Sequence, residues 1–200
     1  LILSSCATTI PTQANLSNQT MLLAENKNLK ANYTLESDVS DGPIRLTTVL
    51  KNGNETGEKG NLEYKSKTAF KKMWSSYFSS KFNSYSDDKI DVLVKLSDLR
   101  LRKQSGTSVG MTLLTGNQKY NVEAIASVYF SVDYKGKTYE KDIEVSASEY
   151  NESQAVQSMG VNYSVNQTNP TQQQSLILQN CLNKTVIQFE NFVTNVILSE

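Results

Sequence analysis

The chain has 200 residues with 20 basic and 20 acidic side chains, no histidine, and two cysteines, Cys6 and Cys181. That length suits one domain with a real core plus some flexible chain, and the balanced, interspersed charges give no electrostatic footprint for nucleic acid. Without imidazole there is no Ser-His or Cys-His nucleophile, and two cysteines make neither a disulfide scaffold nor a zinc site; catalysis, a metal and any other cofactor are not expected.

At the start, Leu1-Ile2-Leu3-Ser4-Ser5-Cys6 reads as the end of a hydrophobic signal segment, with residues 1–5 its remnant. Leu3-Ser4-Ser5-Cys6 resembles the lipobox of bacterial lipoproteins, in which an apolar residue lies three before the cysteine and small residues fill the gap. The resemblance implies that Cys6 begins the mature protein and carries acyl chains such as palmitate, which are its link to the membrane. Each buried methylene contributes about 0.8 kcal/mol to such an anchor. In enteric bacteria an Asp directly after the lipidated cysteine tends to retain the protein in the inner membrane. Here Ala7 and Thr8 follow, so the resemblance implies a periplasm-facing place on the outer membrane. No other stretch is apolar for the roughly 18 residues a span needs.

Residues 6–28 are rich in Thr, Gln, Asn and Ser and read as a lipidated cysteine and flexible tether, with Met21-Leu22-Leu23-Ala24 as a short docking segment. A single domain is expected over 29–200. Leu29 to Leu35 and Ile44 to Leu50 read as strands separated by the turn Ser40-Asp41-Gly42-Pro43. The Gly-rich stretch from Asn52 to Gly60 lacks the Gly-Lys-Ser/Thr of a phosphate loop and reads as a hairpin tip.

From Ser66 to Phe82 the period changes. Phe70, Met73, Trp74, Tyr77, Phe78 and Phe82 fall on one side of a helix, with Ser66 as its cap. The stripe reads first as a helix laid on a sheet, and second as an aromatic ligand or membrane surface built on Trp74 and Phe78. Ile90, Val92, Val94 and Leu96 then alternate as a strand. The phase slips at Ser97-Asp98 before Leu99 and Leu101 continue, which predicts a bulge. Val109 to Leu114 reads as a further strand.

From Val122 to Val132 apolar residues recur at every second position without a slip, with only Ile125 and Tyr129 apolar on the other face. Beyond Asp133-Tyr134-Lys135-Gly136 they recur in the same way from Tyr139 to Ala147, except for Lys141 on the apolar side. This predicts a long antiparallel hairpin with one dry face, closed by a type I turn ending in a left-handed glycine. Glu149 to Thr171 reads as a long polar loop, and 172–198 as an amphipathic helix with Cys181 in its apolar stripe as a small buried hydrophobe.

Glu140, Asp142 and Glu144 share a strand face with Glu123 near by. They could form a cation or acid–base site, but lysines lie close, and a solvated strand face is the simpler reading. Arg100 and Arg102 form a short basic stripe that could meet lipid phosphates or a partner. Asn15, Asn32, Asn54, Asn162, Asn166 and Asn183 head Asn-X-Ser/Thr triplets, which a secreted glycoprotein would use and an Asn-rich chain produces by composition.

The order of elements behind the lipobox, with Ile90 to Val94, Val122 to Val132 before Gly136 and the closing helix, resembles small outer-membrane lipoproteins of the YajG type. It also resembles the auxiliary lipoproteins of lipid-transport ABC systems and, more loosely, the lipopolysaccharide-assembly lipoprotein LptE. The resemblance implies a non-catalytic envelope component. The expected fold is an α+β two-layer sandwich, a mainly antiparallel twisted sheet with amphipathic helices 66–82 and 172–198 on one face. The expected function is a lipid-anchored accessory or binding component of a periplasmic or outer-membrane complex, with an envelope protein as partner and a role in lipid transport or maintenance. The alternatives are a lipid- or glycan-binding protein with a pocket between the aromatic helix and the sheet, and a secreted glycoprotein or adhesin.

Overall fold

The hairpin read from the alternation forms one end of a larger sheet. In the computed structural model, which describes residues 7–49, 54–58, 62–105, 120–148 and 170–199, strands β8 (Tyr120–Tyr134) and β9 (Lys137–Ser148) pair antiparallel from Glu123–Ser148 to Tyr134–Lys137. The ladder closes directly around Lys135 and Gly136, whose φ angles are 48° and 77°. The turn is therefore a two-residue connection with both φ positive, not the longer type I turn expected. Such turns match the twist of the flanking strands. Lys135 bears the left-handed cost of an L-residue, and its ammonium over the Tyr134 ring at 5.0 Å offsets part of it. Lys135→Asn is expected to stabilise the fold by up to about 1 kcal/mol, read as a higher urea midpoint at unchanged slope.

β7 (Lys89–Ser105) runs antiparallel to β8, and the register shifts between Leu96 and Asp98, where the apolar phase slips. The bulge lets Ile90, Val92, Val94 and Leu96 before it and Leu99 and Leu101 after it all face the core. The other edge of β7 is shared. β2 (Lys30–Ser37) lies parallel along its first half and β4 (Arg45–Val49) parallel along its second. β4 turns back into β5 (Glu55–Glu58), so part of the expected Gly-rich tip is strand. The main sheet has six strands, predominantly antiparallel, with two parallel pairings at β7. A small second sheet joins β1 (Thr8–Thr9), β6 (Leu62–Tyr64) and β3 (Gly42–Pro43).

Helices α2 (Ser66–Lys81) and α3 (Pro170–Leu198), with the six-residue α1 (Asn18–Leu23) before them, complete an α+β fold with helices on the dry face of the sheet. Ala69, Phe70, Met73, Trp74, Tyr77 and Phe78 of α2 meet Leu178, Leu182, Val186, Phe189 and Val193 of α3 over Val128, Phe130 and Val132. Ser66 does not cap α2 as expected. It is the first helical residue and is buried, and Lys65 before it makes no side-chain cap bond. Asp41 serves instead, accepting from the Thr68 amide at 3.0 Å and its hydroxyl at 2.5 Å.

Burial raises the Asp41 pKa, but the hydrogen bonds from the Thr68 side chain and amide and the Lys67 amide outweigh it, so the carboxyl lies below its ordinary value. A depressed folded value means this contribution is present above the unfolded pKa near 4 and is lost as pH falls through the folded one. Asp41→Ala is expected to cost about 1 kcal/mol at neutral pH. The difference from the parent should close in denaturant titrations below about pH 3.

The stretch expected as a flexible tether is packed instead. From residue 7 onward it pairs through β1, buries Ile10, Ala14, Thr20 and Ala24, and lies along α3. Its polar composition is satisfied by long-range hydrogen bonds. Asn183 Oδ1 accepts from the Ser17 amide at 2.8 Å and the Thr20 hydroxyl at 2.9 Å, while Gln179 Nε2 donates to the Asn15 carbonyl at 2.9 Å. Cys6, the strand expected at Val109 to Leu114, the loop over 149–169, Asn162 and Asn166 lie outside the described residues.

Candidate functional site

Side chains on the face of the sheet away from the helices include a cluster of paired charges, with the uncharged Ile125 and Thr47 set among them. The register sets Arg100 opposite Ile125 and beside Arg45, and Arg102 opposite Glu123 and beside Thr47. Cross-strand neighbours on one face lie close enough for long side chains to pair. Asp98 accepts from Arg100 and, at 2.7 Å, from Arg45, and Arg100 also reaches Glu144 at 3.5 Å. Arg102 donates to one Glu123 oxygen from Nε and Nη2 at 3.0 and 2.6 Å, and to Glu55 at 3.1 Å. Burial raises the Glu123 pKa, but the hydrogen bonds from Ser146 and Arg102 and the nearby positive charges leave it lowered. Arg100 and Arg102 thus lie on the open face as expected, each held in a fixed pose by carboxylates on both sides. Half-buried pairs of this kind on a sheet surface stabilise modestly, and they set a fixed pattern of charge on the face.

The carboxylate row is absorbed into this cluster. Glu144 pairs with Arg100 and accepts from the Ser127 hydroxyl at 3.4 Å, while Glu140 takes the hydrogen bond of the Tyr129 hydroxyl. Among the described residues no group of three or more His, Cys, Asp or Glu side chains is placed to hold a metal ion.

Trp74 and Phe78 do not form a surface. Trp74 is 0% and Phe78 2% exposed. The indole ring is met by Phe70, Tyr77, Phe78, Phe130 and Phe189 at centroid distances of 5.3 to 6.1 Å. The space between helix and sheet, where a ligand pocket was expected as an alternative, is packed with aromatic rings. The helix faces inward because its stripe is the only apolar side it has, and the sheet offers Phe130 to receive it.

Sequence reasoning missed a buried polar cluster where α2, α3 and the N-terminal segment meet. Glu190 on α3 accepts from the Lys27 ammonium and, at 3.1 Å, the Glu25 amide with one oxygen, and from the Tyr77 hydroxyl with the other. Lys27 also donates to the Glu25 carbonyl at 3.2 Å and sits 5.7 Å from the Phe82 ring centroid. Burial first, then the charge and hydrogen bond of Glu190, pushes the Tyr77 hydroxyl up in pKa, so it stays a donor. One signal for it exists in the chain: Glu190 falls four residues after Val186 and three before Val193, within the apolar stripe. Beside the cluster, a cleft of about 410 Å³ runs between Glu25–Leu29 and Thr194, Ile197 and Leu198. A second, of about 290 Å³, lies between Leu23 and Asn191, Thr194 and Asn195.

Two other singled-out residues are closed off. The Cys181 thiol is 0% exposed, lies 3.4 Å from the Ala124 carbonyl, and is pushed up to about 12 in pKa chiefly by burial. It has no nucleophilic character at neutral pH. Asn183 is 4% exposed with its amide fully engaged, so the folded chain cannot present it for glycosylation.

No protein-family model and no curated protein matches this chain. Among solved structures it is similar to an uncharacterized protein at 8% identity, covering 96% of this chain and 99% of that one, with a TM-score of 0.44. It is also similar to protein XCC0632 from Xanthomonas campestris, of family-model DUF330, at 6% identity, 90% of each chain and a TM-score of 0.45.

Proposed function

We propose that the chain is a lipid-anchored, non-enzymatic component of the bacterial cell envelope that meets a partner protein through the charged face of its sheet. Acyl chains on Cys6 hold it to the periplasmic side of the outer membrane. The observation that carries this reading is Leu3-Ser4-Ser5-Cys6, set directly before the ordered domain. Pairing of β1 begins at Thr8, so the anchor and the fold are separated by Ala7 alone. Two residue steps span about 7 Å, which would hold the domain against the headgroups rather than raise it on a tether. A role for the face in contact rather than chemistry is supported by its paired arginines and carboxylates and by the lack of histidine in the chain. A part in envelope lipid transport belongs to the same reading.

Metabolic labelling with a clickable palmitate tests the anchor. Label should enter the parent protein and be lost with Cys6→Ser, which should also move the protein from the membrane to the soluble fraction. An unlabelled parent protein, or a Cys6→Ser variant that still fractionates with membranes, would overturn it. Crosslinking in native envelopes tests the partner. A captured protein lost on Arg100→Glu/Arg102→Glu is expected, and capture unchanged by that variant would move the contact off this face.

A further inference from the structure

We propose that the outer edge of β2 pairs antiparallel with the same edge of a second copy of this chain, across a two-fold axis at Tyr33. The Lys30 amide donates to the Asp88 carbonyl at 2.8 Å and the Asp38 amide to the Leu96 carbonyl at 2.9 Å, with the parallel register unbroken between them. Even-numbered residues therefore turn their backbone groups toward β7. Ala31, Tyr33 and Leu35 turn theirs outward.

Among the described residues no strand pairs with that outer side, and Asn32, Tyr33 and Thr34 are all exposed, Tyr33 by 40%. Natural sheets protect such edges with charges, prolines or bulges. The five residues from Ala31 to Leu35 carry none of these. Tyr33 is already ordered, its ring stacked on Phe78 at 4.4 Å and 11°.

A second copy fits this edge because the edge is complementary to itself. With the axis at Tyr33, Tyr33 faces its own equivalent as a hydrogen-bonded pair, and Ala31 faces the partner's Leu35. Asn32 faces the partner's Thr34, and Lys30 faces the partner's Glu36. Each of these contacts occurs twice in an isologous interface, except Tyr33 with its equivalent, which lies on the axis and occurs once. Apolar, polar and opposite-charge pairs across an antiparallel ladder each stabilise it, and like charges there oppose it. Among the described residues neither Lys30 nor Glu36 makes an ion pair, although the charge of Glu36 acts on Lys95. Lys95, the ladder neighbour of Glu36, takes Asp38 as its ion-pair partner at 3.0 Å.

Charge reversal tests the pairing on the full chain carrying Cys6→Ser, so that no acyl chain contributes. Sedimentation equilibrium from roughly 1 µM to 1 mM should show a monomer–dimer equilibrium. Lys30→Glu and Glu36→Lys should each weaken it about ten-fold, since each places like charges opposite each other twice. An equimolar mixture of the two variants should associate again, because every reversed charge then faces its opposite. Tyr33→Pro removes an amide that points away from β7, so the fold should keep its circular dichroism, with a modest fall in melting temperature from the lost stacking on Phe78, while association is lost. A parent chain monomeric throughout would overturn the proposal, as would a dimer indifferent to Tyr33→Pro or a variant mixture that stays monomeric.

Discussion

Glu190→Ala is expected to destabilise the fold by about 3–5 kcal/mol, because it leaves Lys27 as an uncompensated charge in a closed site. Lys27 and Glu190 have side chains only 6% and 8% exposed, so solvent cannot take over the lost partner. The Tyr77 hydroxyl, 0% exposed as a residue, loses its acceptor in the same change. Tyr77→Phe alone should cost less, about 1.5–3 kcal/mol, the range for a hydrogen bond to a charged group. Lys27→Met/Glu190→Leu should recover most of the loss, since replacing a whole buried pair by apolar residues is often close to neutral. Urea unfolding of the four proteins forms the check. A double variant as unstable as Glu190→Ala would show that the cluster acts through its shape and not its charge. The same cluster ties residues 25–27 to α2 and α3, so Glu190→Ala should also expose the N-terminal segment to protease before the sheet.

Trp74→Ala is expected to cost about 3–5 kcal/mol. Its ring is the hub of the aromatic core, touching both helices and the sheet through Tyr77, Phe189 and Phe130. A cavity left there is walled by rings from several elements, none free to move in without breaking its own contacts. Trp74→Phe should cost clearly less. It keeps most of the apolar contact and removes the indole N–H, which is buried with no acceptor in range. Thermal unfolding followed by far-ultraviolet circular dichroism measures both, since the only tryptophan is the one removed. Equal losses for the two variants would mean that the core tolerates no change of shape at this position.

Both predictions concern groups that compact the molecule rather than groups that meet a partner, and this separates the two faces of the sheet. On the dry face most large side chains are committed to the core, with Tyr33 and Lys141 at its margins. On the open face Arg45, Arg100, Arg102, Glu55, Glu123 and Glu144 are paired with one another yet still reach water. Charges held this way keep the face hydrated while adding little to stability.

Much of the fold is legible in periodicity, because period two and period 3.6 report which side of an element is dry, and dryness is local information. The hairpin from Val122 to Ala147, the helices at 66–81 and 170–198, and the slip at Ser97 all follow from where the apolar residues fall. Which elements touch is a different kind of fact. Nothing near Leu29 or Ile44 says that β2 and β4 share one edge of β7 end to end in parallel, since that depends on how the chain crosses between them. The turn at Lys135 and Gly136 depends on strand twist, and so it is a two-residue connection and not the type I turn that the residue types suggested.

The sites divide along the same line. The proposed lipidation of Cys6 rests on sequence alone, because a lipobox is a short local pattern. Arg100 and Arg102 were visible as a basic stripe, and their pairing with Glu123, Glu55 and Glu144 required the register of neighbouring strands. Residues 7–28 look like a tether by composition. They are held because Asn183, Glu190 and Lys81, far along the chain, supply the partners that their amides, hydroxyls and carbonyls need. Hydrophobic pattern is written along the chain, whereas the satisfaction of a polar group depends on what folding brings beside it. The sequence therefore established the elements and their dry faces, and only the tertiary structure decided that the aromatic stripe is core, that the N-terminal segment is part of the domain, and that no described strand of the chain pairs with the outer edge of β2.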